Sequence, residues 1–290
     1  MKKKILVLGA NGMLGGSIFR YLSMAEEFST YGTVRSQEAK TKLNNQGFRN
    51  IIENIDVTNP MSMRNAMRQT APNIVINCVG IIKQKNNAGS HCDVIEINSL
   101  LPHRLASICT ELSAQLVHFS TDCVFNGRLG DYKEDSIPDA IDLYGRSKLL
   151  GEVVYDKHLT LRTSIIGHEI NSRDSLVDWF LSQHDEVKGF ANAVFSGLPT
   201  ISVAKFIHEH VLQGGLSGLY HLSASPIDKY SILKMISECY QFPINLIKTS
   251  SFSIDRSLNS EKLFLTTGFK PKTWPQLIKD MNDEYKAYFE

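Results

Sequence analysis

At 290 residues, with 42% hydrophobic and 21% charged side chains, the chain is long enough for a sizeable core and a substrate-side annex, and its balance is that of an ordinary globular protein. A net charge of +1, with basic residues scattered apart from Lys2-Lys3-Lys4, calls for neither nucleic acid nor an anionic membrane surface. Five cysteines, odd in number and without a C-x-x-C spacing, argue against a disulfide framework and a zinc site, and for reduced thiols in a cytoplasmic protein.

The first apolar run, residues 4–8, breaks at Gly9-Ala10-Asn11-Gly12. That is too early for export or a membrane span, so it reads as a buried strand with a basic lead-in. Strand-like runs follow at 29–34, 51–55, 74–79, 116–120 and 159–161, with helix-period segments at 13–24, 61–69, 95–112 and 143–155 between most of them. Asn59-Pro60 reads as an N-cap with a first-turn proline. The alternation predicts an α/β fold, a Rossmann-type doubly wound parallel sheet over residues 1–167. Beyond Gly167 the alternation weakens, aromatics and glycines dominate 179–200, and a last helix-like stretch follows Pro275. Residues 168–290 are therefore expected to form a smaller C-terminal substrate-binding domain, with about 200–224 open to returning to the first.

Strand residues 5–8 run into Gly9-Ala10-Asn11-Gly12-Met13-Leu14-Gly15, and a helix pattern follows. Glycines allow a tight turn and close backbone approach, and a helix N-terminus favours a pyrophosphate, so Gly9, Asn11, Gly12, Met13, Leu14 and Gly15 are candidate dinucleotide contacts. Cofactor choice turns on the end of the second strand, where an acidic residue would favour NAD. This chain has Arg35 there, and a guanidinium is matched to a 2′-phosphate. The expectation is NADPH, with NADH left open. Asp56 has two readings, a hydrogen bond to the adenine amino group or organisation of the turn before Asn59.

Tyr144 and Lys148 stand four apart in a helical pattern and share a face. A phenol holds its proton to about pH 10, and a nearby cation favours its ionised form, which makes the pair a usable proton donor or acceptor. Proton and hydride together mean carbonyl/alcohol chemistry.

These motifs form an ordered set with Asp56-Val57, Asn77, Asn98, Ser120-Thr121-Asp122 and Leu161-Arg162-Thr163-Ser164. The set resembles the extended short-chain dehydrogenase/reductases. Val124-Phe125-Asn126-Gly127, Tyr220-His221-Leu222 and the block from Asp255 to Lys262 make it similar, more narrowly, to the dTDP-4-dehydrorhamnose reductase branch of sugar-nucleotide reductases. The resemblance implies Thr121, Tyr144 and Lys148 as catalytic residues: Thr121 bonds the substrate oxygen, Tyr144 donates the proton, and Lys148 binds ribose and lowers the tyrosine pKa. It also implies Val57, Cys78, Val79, Gly80 and Asn98 beside the cofactor, and Ile82, Thr121, Asp122, Cys123, Ile165 and Arg256 beside the sugar.

Three regions depart from that branch. Cys123 stands where a tyrosine is usual, Ile165 where a tryptophan is usual, and Cys78-Val79-Gly80-Ile81-Ile82-Lys83-Gln84-Lys85 where small residues and threonine are usual. The expected pocket is roomier, able to hold an N-acetyl group at C2 with Lys83, Gln84 or Lys85 as polar partners. Related 4,6-dehydratases need a carboxylate base at the Cys123 position, which disfavours dehydration here.

The implied function is NADPH-dependent reduction of the C4 keto group of a nucleotide-linked 4-keto-6-deoxy sugar, dTDP-linked or a UDP-linked 2-acetamido variant, for cell-surface polysaccharide precursors. The alternatives are a C4 epimerase with bound NAD and a non-catalytic regulatory subunit. The histidines show no ligand spacing, so no metal is assigned from this chain, and a homodimer is left open.

Overall fold

The computed structural model describes residues 2–82, 91–170 and 174–289. Lys83, Gln84 and Lys85 lie outside the described residues. The chain begins with β1 (Lys3–Leu8), α1 (Met13–Ser23), β2 (Phe28–Thr33), α2 (Gln37–Asn45), β3 (Ile51–Ile52), α3 (Pro60–Thr70) and β4 (Ile74–Asn77). Next come α4 (His91–Ile95), which runs through a π-helical turn at Glu96–Leu100 into α5 (Leu101–Glu111), then β5 (Gln115–Thr121), α6 (Leu143–Leu150) and β6 (Leu159–Thr163). The remainder comprises β7 (Ile165–Ile166), α7 (Leu176–Leu181), β8 (Glu186–Phe195), β9 (Leu198–Pro199), α8 (Thr200–Phe206), β10 (Gly218–His221), β11 (Ile227–Asp228), α9 (Lys229–Cys239), β12 (Asn245–Asp255), α10 (Glu261–Thr267) and α11 (Trp274–Tyr288).

Seven strands form a sheet in the order β10-β6-β5-β4-β1-β2-β3. β1 pairs in parallel with β2 and β4, β2 with β3, and β4 with β5. Gly218 N–H to His158 O and Leu222 N–H to Arg162 O set β10 parallel to β6. Ile5, Leu6, Val7 and Leu8 are fully buried, as a strand covered on both faces requires. The direction of winding reverses between β1 and β4, the point at which open α/β sheets bind ligands outside the strands' carboxyl ends. This is the expected Rossmann-like α/β architecture.

The chain groups into two contact units, the first Met1–Ser120, Ile141–Leu161 and Ala204–Leu219, the second Thr121–Ala140, Arg162–Val203 and Tyr220–Glu290. The units interleave along the chain; the sequence suggests a boundary after Gly167, with about 200–224 open to returning to the first domain. In the second unit, β8 is flanked by antiparallel β11 and parallel β12. There the buried His168 imidazole bonds Asp178 at 2.5 Å and the Tyr240 hydroxyl at 2.8 Å, tying α7 to α9.

Element boundaries differ from expectation where single side chains intervene. Strand 51–55 stops at Ile52, and Asn54 has a left-handed φ of 60°. Strand 74–79 stops at Asn77, whose Oδ1 turns back to accept from Val79 N–H at 3.1 Å. Helix 95–112 is present but widens at Glu96–Leu100, because Pro102 has no N–H for the Asn98 carbonyl and its ring crowds the preceding turn. The helix expected over 143–155 ends at Leu150, with Gly151 as its C-cap packed against the π turn. A Cβ on Gly151 would stand 2.0 Å from the freed Asn98 carbonyl oxygen. Gly151→Ala should therefore cost about 1–3 kcal/mol by overpacking against backbone. Urea denaturation checks this, and unchanged stability would show that α6 does not seat on the π turn at this spacing.

Candidate active site

Gly9 has a φ of +79°, and its N–H faces Thr33 Oγ1 at 3.3 Å. The third loop glycine is set by packing: a Cβ on Gly15 would fall 2.2 Å from Gly9 O and 3.1 Å from Cys78 Cβ. Gly12 is the N-cap of α1 and offers no side-chain cap, which leaves that helix's first N–H groups for a ligand. The loop thus meets the loop after β4 at the sheet's switch point, as a pyrophosphate site needs.

Arg35 is exposed between the end of β2 and α2, whose N-cap Ser36 accepts from Ala39 N–H at 3.3 Å. Of the two readings for Asp56, the turn is visible. Its Oδ1 accepts from Thr58 N–H at 2.9 Å and Thr58 Oγ1 at 2.7 Å. Those bonds, chiefly, with the nearby charge of Arg35, hold the carboxyl below its ordinary range. Val57 is buried beside it.

Asn98 lies in the π turn, fully buried. Its Oδ1 accepts from Ile81 N–H at 2.9 Å, while Nδ2 donates to Ile81 O at 2.9 Å and to Ser147 Oγ at 3.3 Å. The carboxamide is spent on protein, so Asn98 shapes the Val79-Gly80-Ile81 loop and braces α6. Ser99 Oγ adds a 2.8 Å bond to Ser147 O. Ile82, the next residue of that loop, is partly buried.

Tyr144 and Lys148 both fall on α6, capped by Asp142, which accepts from Gly145 N–H at 3.0 Å. Tyr144 is partly exposed, and Lys148 only 7% exposed. The Lys148 ammonium donates to Phe119 O at 2.5 Å, two residues before Thr121. Burial drives its pKa down to about 8, against the opposing fields of Glu152 and Cys78. The Cys78 thiol is pushed up by burial and stays protonated. His118, which the sequence reading passed over, is held neutral by burial and by the Lys148 charge, and Asn77 Nδ2 donates to its Nδ1 at 3.2 Å.

The second unit assembles Thr121, Asp122, Cys123 and Arg256. Thr121 Oγ1 donates to Asp122 Oδ1 at 3.1 Å and accepts from Cys123 N–H at 3.1 Å, capping a short 3₁₀ turn over Asp122–Val124. Arg256 Nε donates to Phe125 O at 2.9 Å, and Nη1 donates to Cys123 Sγ at 3.6 Å. Burial raises the Asp122 pKa, with Arg256 the leading opposing charge, while burial and Asp122 push the Cys123 thiol up to about 12. A thiol so protonated is neither nucleophile nor base. Ile165 sits on β7, paired with Leu198 of β9.

The RmlD substrate binding domain family matches residues 3–287. The chain belongs to that family. It is 28% identical over 229 residues to the "Probable low-salt glycan biosynthesis reductase" of Haloferax volcanii, covering 75% of this chain and 73% of that protein. It is 23% identical to methionine adenosyltransferase 2 subunit beta of Mus musculus, over 95% of this chain and 89% of the other. The crystal structure of dTDP-4-dehydrorhamnose reductase from Bacillus anthracis in complex with NADP superposes with a TM-score of 0.81 at 22% identity, over 98% of this chain and 100% of that one.

The depressed Lys148 pKa has a signed consequence for stability. The folded state releases this proton near pH 8 and the unfolded chain near 10.5, so between those values the unfolded state binds more protons and stability rises with pH. Below pH 8 the cost of burying the ammonium is fully present. The unfolding free energy of cofactor-free wild type, relative to Lys148→Met, should therefore rise by about 2–3 kcal/mol from pH 7 to 10. Parallel denaturation curves at the two pH values test it, and a constant difference would mean that Lys148 is not desolvated.

Proposed function

We propose that this protein is an NADPH-dependent reductase of the C4 keto group of a nucleotide-linked 4-keto-6-deoxy sugar. The observation that carries the reading is Lys148, an ammonium buried on the same helix as a partly exposed Tyr144 and fixed to the strand that leads to Thr121. Burial of a lysine without function is costly, and perturbed groups gather at functional sites.

The residues present fit a nicotinamide dinucleotide. The Gly9–Gly15 cradle and the uncapped start of α1 suit its pyrophosphate, Arg35 its 2′-phosphate and Lys148 its ribose. When bound, such a cofactor supplies hydride to the substrate carbonyl carbon. Tyr144 gives its phenolic proton to the oxygen as negative charge develops there, and the Lys148 cation lowers the cost of the phenolate left behind. Thr121, in the role the family resemblance implies, turns its hydroxyl from Asp122 toward the same oxygen. Cys123, protonated and without a carboxylate's reach, supports reduction over dehydration. With Cys123 and Ile165 in place of two aromatics, a UDP-linked 2-acetamido sugar is a substrate on a par with the dTDP-linked precursor, and either product would serve surface polysaccharide synthesis.

A second reading has one observation behind it, the similarity to methionine adenosyltransferase 2 subunit beta, named as a subunit of another enzyme. The retained Thr121, Tyr144 and Lys148 weigh against a purely regulatory role.

NADPH oxidation over a panel of dTDP- and UDP-linked 4-keto-6-deoxy sugars tests the proposal. Tyr144→Phe should keep cofactor binding and lose about 10²–10⁴-fold in turnover, since only the proton donor is removed. A Phe variant with a third of wild-type activity would remove Tyr144 from the mechanism.

Arg35→Ala should raise the NADPH Michaelis constant roughly tenfold and leave NADH nearly unchanged, the size of a charge-assisted but exposed contact. Steady-state kinetics with both cofactors checks this, and equal use of the two by wild type would end the NADPH assignment.

A further inference from the structure

Lys229 occupies a position that ordinary helix chemistry disfavours. It is the first residue of α9, immediately after the N-cap Asp228, whose carboxylate accepts from Ser231 N–H at 2.8 Å and Ser231 Oγ at 2.6 Å. A cation there opposes the positive end of the helix dipole. The side chain is also partly buried, and loss of water drives its pKa down. Two separate costs therefore fall on one residue, and neither is met by a hydrogen bond. What holds the ammonium is the face of Phe195, 4.3 Å from the ring centroid, together with the negative charge of Asp122. Among the described residues, none accepts a hydrogen bond from Nζ.

The surroundings say what the ammonium is for. Asp122 lies in the field of two cations, Arg256 and Lys229. Arg256 is committed through Nε to Phe125 O and through Nη1 to Cys123 Sγ. Lys229 has three N–H donors, and among the described residues no acceptor takes a hydrogen bond from them. One carboxylate in the field of two cations leaves an excess positive charge near Asp122, the residue next to Thr121, which the proposed function places at the substrate oxygen. A sugar bearing a ketone there presents oxygen acceptors on the neighbouring ring carbons.

We propose that Lys229 is a substrate-recognising residue, its ammonium donating to an oxygen acceptor on the sugar ring of a nucleotide-linked sugar, a hydroxyl or the carbonyl of an acylamino group. This rests on the proposed reductase reading only for the placement of the keto oxygen at Thr121. Lys229 thereby supplies polar recognition from the Asp122–Cys123 side, where the family's usual aromatic is replaced by a thiol. The cation–π contact with Phe195 holds the ammonium without consuming its donors.

Isothermal titration of wild type and Lys229→Met separates the sources of that oxygen. The probes are a dTDP-linked 4-keto-6-deoxy sugar with a C2 hydroxyl, a UDP-linked 2-acetamido counterpart, the two nucleoside diphosphates alone, and NADPH. Lys229→Met should weaken at least one sugar nucleotide tenfold or more, and which one falls further names the oxygen. Nucleoside diphosphates and NADPH should change less than twofold, which also shows that the variant is folded. Equal loss for a nucleoside diphosphate, no loss for either sugar nucleotide, or no binding of either by wild type would each overturn the assignment. Lys229-dependent binding without NADPH oxidation upholds it and removes only the reductase reading.

Discussion

The first contact unit is arranged around the burial of a single ammonium. Lys148 is taken out of water on α6 and compensated by the carbonyl of Phe119 at 2.5 Å and by the negative charge of Glu152. Glu152 is held in turn by Ser120 Oγ at 2.7 Å. Desolvating a cation costs several kcal/mol even after relaxation, so a helix carrying one must be fixed from elsewhere. That support comes from the π turn at Glu96–Leu100. Pro102 forces the turn open, the released Asn98 carbonyl meets Gly151, the Asn98 side chain bonds Ser147, and Ser99 bonds the Ser147 carbonyl. A local violation of helix regularity thus anchors the helix that carries Tyr144 and Lys148, and the same Asn98 sets the loop at the sheet's switch point.

The glycine loop is the counterpart of this arrangement. Gly15 is needed because Gly9 O and Cys78 Cβ already fill the space a side chain would occupy. Gly32 on β2 has the same origin, since a Cβ there would meet Ala10 at 2.7 Å and the Phe19 ring at 2.9 Å. The cradle is therefore a consequence of close packing between α1 and the strands, with ligand access left at the uncapped helix start.

Much of this was legible in the chain because it rests on periodicity and short-range chemistry. The buried strands announce themselves as apolar runs, Asn59-Pro60 caps and opens α3 as its spacing suggests, and Tyr144 and Lys148 share one helix. α2 was not legible: it buries only Ala39 and Leu43, too little for an amphipathic signal. The π turn escaped because its cause is one proline within an otherwise helical pattern, and its partner Gly151 is distant in sequence. Gly32 and His118 were missed for a related reason, since both depend on what neighbouring elements bring against them. Of the two readings of Asp56, the Thr58 hydrogen bonds made only the turn visible.

Thr121 shows how a structural and a chemical reading coexist in one side chain. Its hydroxyl caps the 3₁₀ turn through Cys123 N–H while donating to Asp122. The acceptor half of that hydroxyl is a fixed structural bond, so the oxygen is positioned whether or not a ligand is present. The donor half is the exchangeable part, because a hydroxyl hydrogen rotates about a fixed oxygen at little cost. Asp122, in the field of Arg256 and Lys229, accepts the Thr121 proton. Preorganisation of this kind spares the site from ordering a free hydroxyl at the moment of reaction. It ties two basic residues of the second unit, through Asp122, to the orientation of the Thr121 hydroxyl.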